Sequence, residues 1–331
     1  MTHNSTYMKA VTIPSFGAAD VLRLAEVKIP EPGPGQVSID VAYAGANFAE
    51  VLYRQGVVDV PLPFVPGIEV SGRIRALGPG VEGLSVGQPV AALTIVDSGG
   101  YAEVVTTSAD LVAPLDGYDL SLETAAALPS NSTTAFLVLD RVARIEPGES
   151  VLVHAAAGGV GSQLGQAAQQ LGAGRVVGTV GSAAKIETAR AFGYDEVVLR
   201  DSLADAGEFD VVVDMVGGPA RRSSLDLLAL MGRLVVMGNA SGAEDVALSS
   251  NELWFAGKTV SGFNLAAFSA AFPAQAGRAL RRAVAAAAAG QMKVQVEALP
   301  LEQAAEAHRR IESGSTTGKL VLGIDPTAVR S

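Results

Sequence analysis

The chain lacks cysteine, has only three histidines and carries fewer basic than acidic residues, with a formal net charge of −10. Without cysteine, disulfides, thiolate nucleophiles and cysteine-ligated zinc are excluded, and nothing indicates an oxidising compartment. The acidic balance argues against nucleic acid and anionic membrane surfaces, because both are bound through basic patches. No apolar run approaches the ~18 residues of a membrane helix, and residues 1–8 lack the apolar core of a secretory signal. We therefore expect a cytoplasmic protein.

The residues that are present suit a folded protein of about two domains. Hydrophobic residues make up 49% of the 331 positions and charged residues 18%, which allows a large core and does not fit a disordered chain. Residues 9–125 hold short alternating segments between Gly- and Pro-rich turns, the pattern of a compact β-rich domain. Residues 130–265 alternate buried strands with helices, which predicts an α/β domain with a parallel sheet.

Residues 150–177 carry the most specific pattern in the chain. An apolar strand leads into a glycine-rich turn over residues 156–161, and a helical repeat of Leu and Ala follows before the next strand. In this variant of the G-x-G-x-x-G fingerprint, which begins with Ala156, Gly158 would admit a pyrophosphate and Gly161 would let the helix pack on the strand. The strand–turn–helix–strand context favours a dinucleotide site over a packing turn without a ligand. The predicted cofactor contacts in the turn are Gly158, Gly159, Val160 and Gly161.

The dinucleotide is predicted to be NADP(H). An NAD site places an acidic residue ~20 residues after the turn, where it holds the ribose 2′-hydroxyl. Residues 178–185 contain no acid and instead offer the hydroxyl of Ser182 and the ammonium of Lys185. Both would bind a 2′-phosphate, which a carboxylate would repel. The alternative for Lys185 is an ordinary solvated helix residue.

Other segments predict the remaining elements coarsely. A helix is expected over Phe48–Arg54. Phe209–Asp214 and Arg233–Met237 are expected to be buried parallel strands joined by a crossover helix over Pro219–Leu230. Residues 266–289 are predicted to form one long helical stretch.

Motifs spread along the whole chain resemble those of one known family. They are Gly45–Glu50, Tyr53–Gly56, Pro66–Gly72, Val81–Val90, His154–Gly161, Met237–Gly242 and Thr317–Leu322. Together they resemble the medium-chain dehydrogenase/reductase superfamily, and within it the zinc-free, ζ-crystallin-like quinone oxidoreductases. The resemblance implies a GroES-like catalytic domain over residues 1–128, completed by residues 267–331, and a Rossmann NADP-binding domain over residues 129–266. It also implies NADPH as the cofactor and a homodimer built through the edge of the Rossmann sheet.

The sequence departs from the zinc-dependent branch of the superfamily at the metal-binding positions. Zinc alcohol dehydrogenases carry Cys where this chain has Asn47, and His where it has Ile68. A short connection, residues 97–101, stands in place of the lobe that holds their structural zinc. His154 is predicted to be a structural histidine at the end of a strand, since it has no partner ligands in the sequence. We therefore expect no metal, and hydride delivery onto an already polarised acceptor rather than alcohol oxidation.

The resemblance implies catalytic roles for Asn47 and Tyr53. Asn47 is expected beside the nicotinamide ribose and the acceptor, where its amide would hydrogen-bond a carbonyl oxygen as negative charge develops. The alternative is a polar residue that holds a loop. Tyr53 is a candidate proton donor, although the family's tyrosine aligns on Leu52, and solvent is the alternative source of the proton.

Further cofactor contacts are implied at positions that match the family's motifs. Arg200 stands where the family often has Tyr near the 2′-phosphate, and arginine is a good phosphate partner. The remaining contacts, several of them after predicted strands, are Asn47, Thr134, Val216, Gly238, Asn239, Phe263 and Lys319.

The expected function is reduction of a quinone or similar conjugated carbonyl by NADPH. An enoyl or alkenal reductase, as in polyketide or secondary metabolism, is the alternative, and an NADPH-binding protein without activity is a third interpretation. The sequence leaves open the physiological acceptor and whether one or two electrons are transferred. A small planar hydrophobic acceptor is favoured because the expected pocket residues are mostly apolar or aromatic: Asn47, Leu52, Tyr53, Phe64, Asn131, Trp254, Phe263 and Leu265.

Overall fold

A computed structural model describes residues 6–324 of the chain. Residues 325–331 and residues 1–5, part of the segment predicted not to be a secretory signal, lie outside the described range. No helix in the described range is long and apolar enough to cross a membrane. The described residues form two compact units, the first comprising 6–133, 265–290 and 294–324 and the second comprising 134–264 and 291–293.

Strands and helices are numbered here in chain order. The strands are β1 (Tyr7–Thr12), β2 (Arg23–Lys28), β3 (Gln36–Ala46), β4 (Glu69–Leu77), β5 (Pro89–Leu93), β6 (Val104–Ser108), β7 (Val112–Pro114), β8 (Ser150–Val153), β9 (Arg175–Val180), β10 (Glu196–Leu199), β11 (Phe209–Asp214), β12 (Leu228–Val236), β13 (Thr259–Gly262), β14 (Val296–Pro300) and β15 (Lys319–Gly323). The α-helices are α1 (Phe48–Gln55), α2 (Leu122–Ala125), α3 (Asn131–Phe136), α4 (Gly159–Gln170), α5 (Ile186–Arg190), α6 (Pro219–Asp226), α7 (Ser250–Ala256), α8 (Leu265–Ala271), α9 (Pro273–Ala288) and α10 (Ala304–Glu312).

The first unit is β-rich, and a strand from the end of the described chain is built into its sheet. The strands follow the order β14-β15-β3-β4-β5-β7, with β6 also paired to β3. β15 runs antiparallel to β3, with Leu320 opposite Ala46. Because α1 begins immediately after β3, this register brings Lys319 beside Asn47 at the start of the helix.

The second unit is a six-stranded sheet in the order β10-β9-β8-β11-β12-β13. Every neighbouring pair is parallel, and the order is that of a doubly wound Rossmann sheet. The central strands are apolar and buried, as Val211–Val213 illustrate, which is typical of parallel sheets. The predicted α/β fold class, a β-rich part and a Rossmann part, is confirmed.

Two predicted helices were wrong in extent. The crossover helix predicted over Pro219–Leu230 ends at Asp226, because pairing with β11 takes the following leucines into β12 despite their helical propensity. The long helical stretch predicted over residues 266–289 is broken into α8 and α9 at Phe272. Pro273 explains the break, since it donates no backbone hydrogen bond and disfavours helical angles in the residue before it.

Candidate active site

A buried polar cluster lies where β15, α1 and β4 meet in the first unit. Asn47 is the N-cap residue of α1 and Glu50 lies in its first turn, while Glu69 opens β4 and Lys319 opens β15. Both glutamates are fully buried, and the Lys319 side chain is only 3% exposed. The sequence analysis names Asn47 and Lys319, and the structure brings these two into direct contact.

Hydrogen bonds within the cluster account for the whole Asn47 side chain. Lys319 Nζ donates to Asn47 Oδ1 and to Glu69 Oε1. Asn47 Nδ2 donates to Glu69 Oε1 at 2.8 Å and to Glu50 Oε1 at 3.4 Å. The amide orientation follows from chemistry, because an ammonium only donates and a carboxylate only accepts. The Asn47 N–H groups, which were expected to meet an acceptor's oxygen, are therefore bound to the two glutamates. In the part of the chain that the structure describes, the Lys319 ammonium donates two of its three hydrogens.

The two titratable groups of α1 that face this region have raised pKa values. Burial raises the pKa of Glu50 to about 7, against the lowering effect of the Lys319 charge. Burial, together with the Glu50 charge, raises the pKa of Tyr53 to about 12. The Tyr53 ring packs edge-on against Phe64, with 5.6 Å between ring centroids. Tyr53 therefore keeps its proton at neutral pH and is a hydrogen-bond donor rather than an acid.

A second buried group on the first unit was missed by the sequence analysis. The Tyr101 hydroxyl and His308 Nε2 lie 3.3 Å apart. Burial, with the nearby Arg54 charge, lowers the pKa of His308 to about 3, so this imidazole is neutral. Arg54 is itself fully buried and pairs with Glu312 at 2.6 Å. Tyr101 and His308 are 207 positions apart in the sequence, and only the fold brings them together.

In the second unit, the carboxyl ends of the parallel strands collect most of the predicted cofactor residues. Since the strands are parallel, their carboxyl ends share one edge of the sheet, which is where ligands bind such sheets. Thr134 is the exception, because it lies buried in α3. The residues at the edge are Gly158–Gly161 after β8, Ser182 and Lys185 after β9, Arg200 after β10, Val216 after β11, Gly238 and Asn239 after β12, and Phe263 after β13.

The glycine-rich turn after β8 is tight. A Cβ atom at Gly161 would lie 2.2 Å from the backbone oxygen of Ala155. Gly158 is the N-cap residue of α4, where a Cβ atom would lie 3.2 Å from the same oxygen. The positive backbone angle of the turn falls on Ala155, with φ of 54°. The first turn of α4 thus leaves its N–H groups and the positive end of its dipole for an anion.

The region after β9 and β10 has the chemistry of an anion site. Arg200 Nε is buried without a hydrogen-bond partner. Its Nη2 would lie 3.7 Å from a Cβ atom at Gly181, so the guanidinium lies close to the end of β9. Burial lowers the pKa of Lys185. A buried guanidinium N–H without a partner is costly unless an anion accepts its hydrogen bond.

A buried ion pair holds two of the edge loops together. Asp214 Oδ1 accepts from the backbone N–H of Val216 at 2.7 Å, and Asp214 Oδ2 accepts from Arg221 Nε at 3.0 Å. Arg221 Nη2 also donates to the backbone oxygen of Gly238 at 2.7 Å. The sequence analysis missed Arg221. The sequence feature that could have indicated a buried cation is Asp214, because a carboxylate at the end of a buried strand requires a partner.

The structural assignment of His154 is confirmed. Its ring is fully buried, with Nδ1 3.0 Å from Thr179 Oγ1 and Nε2 2.8 Å from Ser224 Oγ. Burial lowers the pKa of His154 to about 4. Both ring nitrogens are occupied by hydroxyl partners, so His154 holds β8 to its neighbours.

Comparison with known proteins decides the family. The models described as "Alcohol dehydrogenase GroES-like domain" and "Zinc-binding dehydrogenase" match residues 33–117 and 192–322. A probable quinone oxidoreductase of Schizosaccharomyces pombe is 32% identical over 326 residues, covering 94% of this chain and 96% of that protein. The chain belongs to the quinone oxidoreductase family of the medium-chain dehydrogenase/reductases.

Two further relatives are similar to this chain over almost its whole length. A human synaptic vesicle membrane protein VAT-1 homolog-like protein is 32% identical and covers 97% of this chain and 82% of its own length. A structure of Escherichia coli quinone oxidoreductase complexed with NADPH has a TM-score of 0.87 and 29% identity, covering 96% of this chain and all of that one. The resemblance to quinone oxidoreductases of the medium-chain dehydrogenase/reductase superfamily is thereby confirmed, as are the GroES-like and Rossmann parts of the fold.

Proposed function

We propose that this chain uses NADPH to reduce a quinone or a similar conjugated carbonyl compound, without zinc. The observation that carries the proposal is the Lys319 ammonium bound between Asn47 and Glu69. It places a fixed cation at the motif where the zinc branch of the superfamily carries its metal ligands.

The residues at the edge of the Rossmann sheet fit NADPH. The buried, unpaired Nε of Arg200 suits the 2′-phosphate, and Ser182 and Lys185 follow the neighbouring strand, β9. The N-terminus of α4 and Gly158 suit the pyrophosphate. Support also comes from the E. coli relative, which was solved with NADPH. When bound, NADPH supplies the hydride, and the protein supplies orientation and charge.

A catalytic zinc does not fit the donor atoms of the polar cluster. Zinc prefers thiolate, imidazole and carboxylate ligands, yet Ile68 is apolar and the oxygens of Asn47 and Glu69 already bind an ammonium. Among residues 6–324, no group of three or more His, Cys, Asp or Glu side chains could hold a metal ion. The reaction we propose therefore needs an acceptor whose carbonyl is already polarised by conjugation.

The chain's own residues can stabilise the negative charge that hydride transfer places on the acceptor's oxygen. We assign this role to the Lys319 ammonium, which donates only to Asn47 and Glu69 among residues 6–324. Asn47 then acts by holding the ammonium, together with Glu69. Tyr53 can donate a hydrogen bond but retains its proton, since its pKa is raised to about 12. The proton that completes the reduction is taken from solvent.

The proposal is tested by following NADPH oxidation against a panel of quinones and 2-enals, with NADH as the comparison. We expect turnover with ortho- or para-quinones to exceed turnover with enals, and hydroquinone as the product. Activity confined to enals or enoyl thioesters would assign the chain to the double-bond reductases instead. NADPH binding without oxidation of any acceptor would contradict both assignments.

The cofactor preference should depend on Arg200. Replacing Arg200 by alanine removes a charge-assisted hydrogen bond to the 2′-phosphate, which stabilises binding by roughly 1.5–3 kcal/mol. We expect the KM for NADPH to rise about 10- to 100-fold and the KM for NADH to stay within about twofold. Lys185→Ala should act in the same direction. Arg190→Ala, which breaks only an exposed ion pair with Glu187, is the control, and equal effects of Arg200→Ala on both cofactors would contradict the assignment.

We also propose that the chain forms a homodimer through the β13 edge of the Rossmann sheet. Leu230, Met231, Trp254 and Phe255 are all highly exposed, and the last two rings stack at 4.7 Å. Met231 has φ of 65°, a strained angle for a non-glycine residue, and its N–H binds the oxygen of Gly257. Trp254, expected in the acceptor pocket, is 73% exposed on this surface. An apolar patch beside an open strand edge suits a second copy of the chain, because a two-fold axis there would continue the sheet.

A charge placed in this patch should separate the subunits. We expect Trp254→Glu to convert a dimer to a monomer at micromolar concentration, measured by sedimentation velocity, because the carboxylate would be buried without a partner. Val86→Glu, an exposed apolar position in the first unit, should leave the sedimentation coefficient unchanged. A wild-type protein that sediments as a monomer would contradict the proposed dimer.

A further inference from the structure

The sequence Asn47-Phe-Ala-Glu50 has the spacing of a helix-capping pair, yet the pair is not used for capping. Asn47 is the N-cap residue of α1, but its side chain makes no capping hydrogen bond. A capping side chain stabilises a helix by about 1 kcal/mol. The structure forgoes this stabilisation and directs the Asn47 amide at both Glu50 and Glu69.

The two buried carboxyl groups of the cluster are satisfied to very different degrees. Glu69 accepts from the Lys319 ammonium, from Asn47 Nδ2 at 2.8 Å and from the backbone N–H of Ser130 at 2.7 Å. Glu50 accepts from the backbone N–H of Ile68 at 3.1 Å and from Asn47 at 3.4 Å, both on Oε1. Glu50 Oε2 is buried with no partner. The negative charge that pairs with Lys319 therefore belongs to Glu69, and Glu50 lacks the contacts that would support a second one.

Among the residues that the structure describes, the groups around Glu50 provide no second cation to pair with it. Lys319 is engaged by Glu69, and Glu69 itself repels a charge on Glu50. Tyr53 and Tyr101 both have raised pKa values, mainly through burial, and stay neutral. On α10, His308 is neutral because burial and the Arg54 charge lower its pKa. Arg54, the other cation of this region, pairs with Glu312.

From this cluster we propose that Glu50 is a positioning residue that holds a proton in the active form of the site, and that its ionisation disorganises Asn47 and Lys319. With Glu50 protonated, the cluster is neutral and the Asn47 amide is bound to Glu69. A carboxylate accepts hydrogen bonds more strongly than a carboxylic acid. An ionised Glu50 would therefore draw the Asn47 amide away from Glu69 and compete for the ammonium. It would also add one negative charge where the acceptor's oxygen becomes negative.

Activity should fall with rising pH, because the form of the site with Glu50 protonated is the active one. Because the pKa of Glu50 is raised to about 7, activity should be lost as the pH rises through that value. The inference rests on the proposed function only in placing the acceptor at this cluster. The protonation of Glu50 and the response of Asn47 can be measured without any acceptor.

The first experiment records kcat at saturating NADPH and quinone between about pH 6 and about pH 9. For a single group with a pKa of about 7, we expect kcat of the wild type to fall about tenfold per pH unit above that value. In Glu50→Gln, which cannot ionise, the ratio of kcat at the two ends should approach one. A wild-type profile that is flat through this range, or a Glu50→Gln profile that keeps the descending limb, would overturn the proposal.

The second experiment reads the cluster itself in the full chain with no acceptor present. We expect an infrared carbonyl band of a protonated carboxylic acid that titrates with a midpoint of about 7 and is absent in Glu50→Gln. In Glu69→Gln, which removes the charge that repels ionisation of Glu50 and that pairs with Lys319, the band should remain at low pH but titrate at a lower pH than in the wild type. The side-chain amide resonance of Asn47 should shift with the same midpoint in the wild type only. Absence of the band, or an Asn47 resonance insensitive to pH, would overturn the inference, whereas lack of turnover with intact titration would contradict only the proposed function.

Discussion

Replacing Lys319 by methionine is expected to destabilise the protein by about 3–5 kcal/mol and to abolish turnover. Methionine fills a similar volume but leaves the fully buried Glu69 carboxylate without its cation. The Asn47 carbonyl loses its donor in the same change. The ammonium is the only positive group bound to this cluster among residues 6–324, so the loss of stability and the loss of activity have one cause.

A double-mutant cycle separates the ion pair from general disruption. We expect Glu69→Gln combined with Lys319→Met to be less destabilising than the sum of the single changes, because neither variant then buries an unpaired charge. Urea unfolding at pH 6 and pH 8 measures each free energy. Arg75→Met breaks an exposed ion pair with Asp40 and should cost no more than about 1 kcal/mol. Additive single changes would contradict a direct Lys319–Glu69 interaction.

Replacing Gly161 by alanine is expected to destabilise the Rossmann unit by about 3 kcal/mol, the upper end of the usual cost of overpacking. The new Cβ atom would lie 2.2 Å from the backbone oxygen of Ala155. The Ala155 oxygen belongs to the turn and accepts from the Gly158 N–H, while Gly161 lies in α4. Neither segment can move away without losing backbone hydrogen bonds. Differential scanning calorimetry should show the transition of this unit shifted to lower temperature.

The neighbouring change, Gly158→Ala, is the matched control for Gly161→Ala. Its Cβ atom would lie 3.2 Å from the same oxygen, and its φ of −79° suits alanine. We expect little loss of stability but at least a tenfold weaker affinity for NADPH, because the methyl group stands where the pyrophosphate approaches the turn. Similar loss of stability in both variants, with NADPH affinity preserved in Gly158→Ala, would contradict the assignment of this turn.

Local patterns were enough to predict the architecture. Hydrophobic alternation and the glycine turn identified a β-rich part and a Rossmann part, and Phe209–Asp214 was placed with both ends correct. Helix boundaries were less secure where local propensity and sheet pairing disagree, as at Leu228–Val236. The edge of the Rossmann sheet was predictable because parallel strands deliver the residues that follow them to the same place.

The polar cluster was only half predictable. Asn47 and Lys319 were named from motifs, but their contact depends on β15 pairing with β3 across more than 270 positions of sequence. Glu50 was not named from the sequence, where its spacing from Asn47 fits a helix cap. Its burial and its contacts with Asn47 and Ile68 are set by the fold. The Tyr101–His308 contact had no local signal, because its two partners are 207 positions apart.

The most direct test of the account is a single turnover of the 331-residue chain loaded with NADPH. The complex is mixed with a quinone under anaerobic conditions, with and without a strong metal chelator, while nicotinamide absorbance and hydroquinone formation are followed together. We predict that NADPH is oxidised one for one with hydroquinone formation, at the same rate with chelator present. NADPH that stays reduced on the bound protein, or oxidation that the chelator abolishes, would contradict zinc-independent hydride transfer to a quinone.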